Sequence, residues 1–452
     1  MKEVRLLLAF TLSLLVLFIF NLFFYTPPSK FEEKKVNKTL TIPTSKDLYF
    51  ENESLKITFS KEYGFIKEIY LKKFSETLTY KNLFFLPKFK SKDIITTSNS
   101  VIFKGEFGEI KYKIKKYFLT VSFKNLKDSL KEFLIFEKYP DKEKINQRFV
   151  EVFYYKNNKL YRKRGKIQID NFSWGGIRGR YFCLIFEPDK PIKWEHKRKN
   201  GKFISTILAN SDSLTINCFI GPQIKELLKD EWQQILYYGF FSGISKFILK
   251  ILSFLHSIFK NWGLSIIVLT VLIYIILFPF TIQTTKSTLK MQEIQPEIER
   301  LKKQYKDNLQ KLNKELLELY RKHKINPLSG CLPLFFQIPV FIGLYQALMR
   351  AIELKGAKFL WIKDLSLPDR TITIGNVNIN VLPILTALLF FFQQKFYSTQ
   401  TSSEQKKFFE IFFPLFFAVI FYSFPSGFLL YWLSNSILTL LYYLRLKTLK
   451  NL

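Results

Sequence analysis

Residues able to make or break bonds are few in this chain and poorly arranged for it. The cysteines Cys183, Cys218 and Cys331 form no C-x-x-C pair and no zinc-ligand spacing. His196 falls in the charged run KWEHKRKN, where a solvated loop is expected, and His256 has no obvious partner. No paired-carboxylate, nucleophile or phosphate-loop pattern accompanies them. What stands out instead are polar residues and prolines set inside hydrocarbon-compatible runs: NWGLSII (Asn261–Ile267), NPLSGCLPLFFQIPVF (Asn326–Phe341) and FPSGFLLYW (Phe424–Trp432). Gln337 lies in the second run, Gln394 closes another, and Ser434 and Asn435 interrupt the last, just after Tyr431 and Trp432. In lipid such groups are costly, so they face a protein interior or a wet cavity. Their chemistry is hydrogen bonding to something polar that must cross or enter a membrane.

The elements that hold them follow from hydropathy. An apolar run from Leu6 to Tyr25 follows Lys2 and Arg5 and ends in FFYTPPSK, without a small-x-small cleavage site. Its length suits a span of ~20 residues, so an uncleaved anchor with a cytoplasmic N-terminus is expected. From Thr39 to Gly221 the pattern alternates, as in Ser54–Ser60, Lys116–Phe123 and Asp212–Ile220, with Asn, Gly and Asp between runs. This predicts a large antiparallel β-sandwich outside the cytoplasm. Cys183 and Cys218 lie in it, as two small buried residues or, if the region is exported, as a disulfide.

The period then changes. Lys246, Lys250, Ser253, Ser257 and Lys260 recur on one side of a helix, with Ile244, Phe247, Ile248, Ile251, Leu255 and Phe259 on the other. That amphipathic helix is expected to lie along a membrane surface. Spans are expected at Leu264–Phe278 (closed by Pro279), about Cys331–Met349, Val381–Phe392, Phe408–Phe424 with Glu410 near its start, and Phe428–Leu444. Several are short, which implies local thinning of the bilayer. Between the first two, Ile294, Ile298, Leu301 and Tyr305, then Leu309, Leu312, Leu316 and Leu319, predict an antiparallel helical hairpin. Lys286–Lys324 holds eleven Lys/Arg against six Asp/Glu, the bias of a cytoplasmic segment.

The fold class is therefore a polytopic α-helical membrane protein, an N-terminal anchor plus a five-helix core, carrying an extracytoplasmic all-β domain. The divisions are 1–26 (anchor), 27–238 (β domain), 239–260 (interfacial helix) and 261–452 (core, with the hairpin at 284–325). The formal charge of +32 is spread along the whole chain, which argues against a specific nucleic-acid surface.

The stretch from Asn261 onward resembles YidC-type membrane protein insertases, the bacterial branch shared with the Oxa and Alb proteins. The agreeing runs are NWGLSII, FPFT (Phe278–Thr281), IQP (Ile294–Pro296), Leu319–Leu348, LWIKDLS (Leu360–Ser366), QKF (Gln394–Phe396) and FPSGFLLYW. Upstream, GRYF (Gly179–Phe182) and FIGP (Phe219–Pro222) resemble the family's periplasmic β-super-sandwich. The resemblance implies an inner-membrane insertase and chaperone, not an enzyme, that uses no cofactor or nucleotide. Its core would enclose a hydrophilic groove open to cytoplasm and lipid, and its partners would be nascent membrane proteins, the Sec translocon, the ribosome and lipids. Thr270 matches a groove position facing the client. Gln337, Gln394, Ser434 and Asn435 are candidates for the polar lining, and Tyr431 with Trp432 for the exit face.

Two departures matter. The family usually carries a groove arginine on the span after NWG, and Tyr274 stands there; no Lys or Arg lies between Asn261 and Thr285. Only Leu446–Leu452 follows the last span, so ribosome contact would fall to the hairpin and short loops. A small-solute transporter is the main alternative, but internal repeats and an ionisable mid-membrane residue are both missing from the pattern. A sugar-binding role for the sandwich would leave the hairpin and core unexplained.

Overall fold

The computed structural model describes residues 47–450 apart from 79–81, 87–88, 107, 126–131, 137–148, 200–201, 210, 324–331, 375–376, 398–410 and 412–413. The anchor expected at Leu6–Tyr25, the start of the Asn326–Phe341 motif and Glu410 lie outside the described residues. The chain divides into two compact units, one ending at Leu236 and one running from Tyr237 to Leu452.

The first unit is all-β. Nine antiparallel strands form one sheet in the order Lys159–Lys163, Glu151–Lys156, Trp174–Arg178, Phe182–Pro188, Leu214–Pro222, Phe118–Lys124, Gly108–Lys115, Ser100–Gly105 and Ser91–Thr96. Two four-stranded sheets, one over 47–78 and one combining Ile167–Asp170, Ile192–Lys199, Lys202–Ala209 and Glu132–Phe136, supply the opposing layer. Phe59 meets Phe103 and Tyr112 at one end of this sandwich, with centroids 5.7 and 5.0 Å apart. Trp194 meets Phe186 edge-on at 4.7 Å at the other. Arg178 is buried, pairs with Glu151 and donates to the Ile235 carbonyl, which ties the end of the unit to its large sheet.

One expectation is corrected here, for His196, and one open choice is decided, for the two cysteines. His196 is not in a solvated loop: it sits on the strand Ile192–Lys199, fully buried, opposite Ile167 and Ser205. Strand alternation turns Ile192, Trp194 and His196 inward while Lys193, Glu195 and Lys197 take the other face, so the charged neighbours disguised an inward position. Burial lowers its pKa to about 4. Cys183 and Cys218 are buried free thiols whose ionisation burial pushes up. They lie on adjacent strands, but Cys183 faces Gly221 and Cys218 faces Phe186. That three-residue offset is about 10 Å, beyond the reach of a disulfide.

The second unit is helical. Its elements are α1 (Ser242–Phe259), α2 (Trp262–Glu293), α3 (Gln295–Gln304), α4 (Leu309–Lys322), α5 (Leu332–Arg350), α6 (Val381–Tyr397) and α7 (Ser426–Lys450), with a further helical stretch over 414–421. Among the described residues, three helices are long and apolar enough to cross a membrane: Ser242–Phe259, Trp262–Glu293 and Ser426–Thr448.

Asn261 caps α2 by accepting from the Leu264 amide at 3.0 Å. Pro279 does not close α2, which runs on for fourteen residues to Glu293. Proline removes one ladder bond, and an apolar helix tolerates that where packing and i−4 hydroxyl bonds (Thr281 to Leu277, Thr284 to Phe280) accompany it. The hairpin is therefore a continuation of α2 that breaks only at Ile294 and folds back through α3 and α4. Ile294, Ile298, Leu312, Leu316 and Leu319 form its core, with Leu301 and Tyr305 packed on it; Leu309 is exposed.

On α1 the buried side chains are Ser245, Ile248, Leu252 and Leu255, while Phe247 and Phe259, on the apolar face given by periodicity, are exposed. Ser245 donates to the Gly343 carbonyl of α5 at 2.8 Å, and a Cβ on Gly343 would fall 2.7 Å from Ile244, so a small residue permits this close approach. His256 has a partner after all, since it stacks on Trp262 at 3.8 Å.

Candidate functional site

Four apolar helices, α2, α5, α6 and α7, meet along a seam of neutral polar groups centred on α7. Tyr431 is buried, and its hydroxyl accepts from Nε2 of Gln337 on α5 at 3.1 Å. One turn on, Gln393 of α6 donates to the Ser436 carbonyl at 2.8 Å. Beyond that, the Tyr274 hydroxyl of α2 donates to the Leu438 carbonyl at 3.4 Å, and Phe278 meets Tyr442 edge-on at 4.9 Å. At the far end the Tyr443 hydroxyl donates to Oε1 of Gln292 at 3.1 Å. Each carbonyl has a second lone pair after serving its own helix, which is what lets a neighbouring side chain dock on it. In apolar surroundings a polar group without such a partner costs free energy, so these contacts fix which helix faces meet.

The contacts also fix directions. Ile266 lies beside Gly427, Tyr274 bonds Leu438 and Phe278 meets Tyr442, so α2 and α7 run parallel. Gln337 with Tyr431, Phe341 with Phe428 and Tyr345 with Phe424 make α5 antiparallel to α7. Phe390 with Trp432 and Gln393 with Ser436 make α6 parallel to it. The ends of α2, α6 and α7 that carry Lys286, Lys290, Lys395, Arg445 and Lys447 therefore share one side of the bundle.

The opposite side is tied off by the loop between α5 and α6. Asp369 accepts from the Val381 and Leu382 amides at 2.7 and 3.0 Å, capping α6. Asn380 accepts from the Arg370 amide and donates to the Tyr422 carbonyl. Ser426 and Gly427, whose amides would be orphans at the start of α7, donate to the Leu367 and Leu365 carbonyls, both at 2.8 Å. Next to the seam, Trp432 packs edge-on against Phe341, Phe421 and Phe390 at 5.3, 5.6 and 6.1 Å, and its buried indole N–H has no acceptor among the described residues.

The sequence candidates are thus distributed unequally. Gln337 and Tyr431 are joined directly and Tyr274 belongs to the same seam. Thr270 is fully buried and its hydroxyl is spent on its own helix, at the Ile266 carbonyl, 2.7 Å away. Gln394, Ser434 and Asn435 are half-buried and make no side-chain hydrogen bond to another helix among the described residues. The glutamine that reaches α7 is its neighbour Gln393, missed because two adjacent glutamines give no sign of which one faces inward; its spacing of three from Phe390 was the available signal. Gln292 and Tyr443 were also missed, since Gln292 lies past Pro279, where the helix was expected to have ended.

Residues 254–450 match the family model described as 60Kd inner membrane protein. The chain is 38% identical over 287 residues to "Membrane protein insertase YidC" of Francisella tularensis subsp. novicida (strain U112), an alignment covering 61% of this chain and 50% of that protein. The chain thus spans about half the length of the curated relatives it matches. Among solved structures it is similar to an active YidC insertase with its first transmembrane domain resolved (19% identity, TM-score 0.45, covering 96% of this chain and 98% of that one). It is also similar to YidC from Thermotoga maritima (15% identity, TM-score 0.34, covering 87% and 98%).

Proposed function

We propose that this chain, whose residues 254–450 match the 60Kd inner membrane protein model, is a membrane protein insertase and chaperone of the YidC type. It moves nascent hydrophobic segments from the cytoplasm into the bacterial inner membrane, alone or beside the Sec translocon, and consumes no nucleotide. The observation that carries the reading is the seam itself: neutral donors and acceptors of α2, α5, α6 and α7 concentrated between helices whose outer faces are apolar.

The free energy for insertion comes from the client, whose apolar segment gains about 25 cal/mol per Å² on leaving water. The polar tail is the obstacle, because each unpartnered amide costs a few kcal/mol in hydrocarbon. Gln337, Gln393, Tyr274 and Tyr431 are held by neutral hydrogen bonds to neighbouring helices, which a polar group of the client can replace. The client tail borrows those partners while its apolar segment leaves past Trp432 and the phenylalanines around it. Gln394, Ser434 and Asn435, half-buried and uncommitted, supply further partners; Thr270 packs α2.

The basic ends of α2, α6 and α7 on one side support a cytoplasmic hairpin by charge bias, and with it a periplasmic β domain. Nascent chains, ribosomes and lipid headgroups are the partners expected for the basic hairpin. The test uses the full chain in liposomes with a freshly synthesised single-span client, scored by protection of its tail from external protease. Protection is expected with the full chain and not with empty liposomes or a chain lacking Leu264–Phe278; equal protection in all three overturns the reading. Tyr274→Arg, which restores the cation found in relatives, should raise protection of acidic-tailed clients and leave neutral tails unchanged. No gain for acidic tails would remove Tyr274 from the client's path.

A further inference from the structure

The loop between α5 and α6 ends in a tip of unexpected chemistry. Phe359 and Ile362 exchange backbone hydrogen bonds of 3.0 and 2.8 Å, leaving Leu360 and Trp361 as the two central residues of a tight turn. Leu360 has φ +49°, the left-handed region that glycine and asparagine take without strain and leucine does not. It is also 74% exposed, and Trp361 is 41% exposed. In water both features count against this pair: the turn favours a small or polar residue, and the side chains favour burial. Lys358 and Lys363 flank the tip and are exposed; Lys355 follows the end of α5.

The tip's position is fixed by Phe359, whose ring lies on Gly263, the second residue of α2; a Cβ there would fall 2.1 Å from it. Leu360 and Trp361 therefore stand at the beginning of α2, the end from which the outward-facing Leu264, Val271, Leu272, Ile275 and Ile276 run. Those five residues form the exposed apolar face that runs along α2 away from the tip, on a helix long and apolar enough to cross a membrane.

We propose that Leu360 and Trp361 form a lipid wedge, seated in the headgroup–acyl boundary of the leaflet at the Asn261 end of the bundle. Lys358 and Lys363 rest on its phosphates. Continuity with the exposed face of α2 names the occupant, since a bilayer that covers Leu264 to Ile276 reaches the tip at its own boundary. Tryptophan is the side chain best suited to that depth, and lysine stems extend from it to phosphate. The wedge has a structural consequence: the same loop holds the Ser426 and Gly427 amides, so the depth of the tip sets the depth at which α7 begins. This inference does not depend on the insertase reading.

The test compares the full chain with Trp361→Phe in vesicles of phosphatidylcholine and phosphatidylglycerol, brominated either near the headgroup or near the chain ends. The difference in emission between the two proteins is the signal of Trp361, and quenching of the remaining tryptophans reports reconstitution. Trp361→Phe keeps an apolar ring at the turn, and Leu360→Gly, which suits the backbone, serves as a second variant. The Trp361 signal is expected to be blue-shifted, largely lost with shallow bromines and little affected by deep ones; Leu360→Gly should weaken the shallow quenching. A Trp361 signal that neither lipid quenches, in vesicles where total emission is quenched, overturns the wedge and gives the tip to a protein partner. Stronger quenching by deep bromines overturns the interfacial placement.

Discussion

Tyr431→Phe is the sharpest probe of the seam, because it deletes one oxygen and keeps the ring. The hydroxyl accepts from Gln337 at 3.1 Å in a buried position, so its loss leaves an amide N–H with nothing to meet. An interhelical hydrogen bond inside a membrane protein averages about 0.6 kcal/mol by double-mutant cycle and reaches about 1.7. Leaving the donor orphaned adds to that, within a range of about 1–3 kcal/mol. Tyr431→Phe should therefore destabilise the helical unit by about 1–2 kcal/mol. Gln337→Met, which removes the donor and leaves the buried Tyr431 hydroxyl without it, should cost a similar amount. The double variant should cost less than the sum of the singles, with a coupling of about 0.6–1.5 kcal/mol. Reversible unfolding of the full chain in mixed micelles, followed by the near-UV signal of the tryptophans, measures all four corners of the cycle. A coupling indistinguishable from zero would refute the claim that α5 and α7 are held face to face by this contact.

Two further changes follow from the packing. Gly263→Val should destabilise the helical unit by about 1–3 kcal/mol, because its side chain would overlap the Phe359 ring; a melting curve unchanged from the parent would mean that the loop moves aside freely. In the β unit, His196 has its folded-state pKa lowered to about 4 by burial, against about 6.5 when unfolded. Stability is then full above about pH 6.5 and falls as pH drops toward 4, as the unfolded chain takes up a proton the folded one refuses, by about 3 kcal/mol in all. His196→Phe should flatten that limb of the stability-versus-pH curve, and an unchanged slope would contradict the burial.

How much of this was legible in the sequence depended on whether period and polarity pointed the same way. The hairpin was readable because Ile298, Leu312, Leu316 and Leu319 keep a narrow apolar seam on otherwise charged helices, and the structure buries those four together. The strands at Leu55–Ser60 and Leu214–Pro222 were readable for the same reason at period two. His196 was misread because polarity was allowed to outvote period: Trp194, two residues before it, already marked the inward face. Pro279 was misread because a rule drawn from water-soluble helices was applied to one whose continuation is set by packing. Within the seam, Gln337 was identifiable as a polar residue in an apolar run, whereas the choice between Gln393 and Gln394 is a matter of helix rotation. Rotation is set by partner helices, and composition carries no trace of it.

The seam's neutrality bears on what it can discriminate. A guanidinium at position 274 would attract a carboxylate 4 Å away by about 4 kcal/mol at an effective dielectric of about 20, several times the worth of a neutral hydrogen bond. Such a cation also has to be kept hydrated or paired when no client is present, because an isolated buried charge costs more than a polar neutral group. Tyr274 avoids that requirement by resting on the Leu438 carbonyl, a long contact at 3.4 Å that costs little to give up. Gln337 on Tyr431 and Gln393 on Ser436 are closed in the same way, each with a neutral partner of its own. If the proposed client passes here, a seam of this kind would reward its tail for the number of donors and acceptors it presents, and give its sign of charge little weight. On the proposed insertase function, selection by charge falls to the lysine-rich hairpin and the basic ends of α2, α6 and α7, which an acidic tail would meet before the seam.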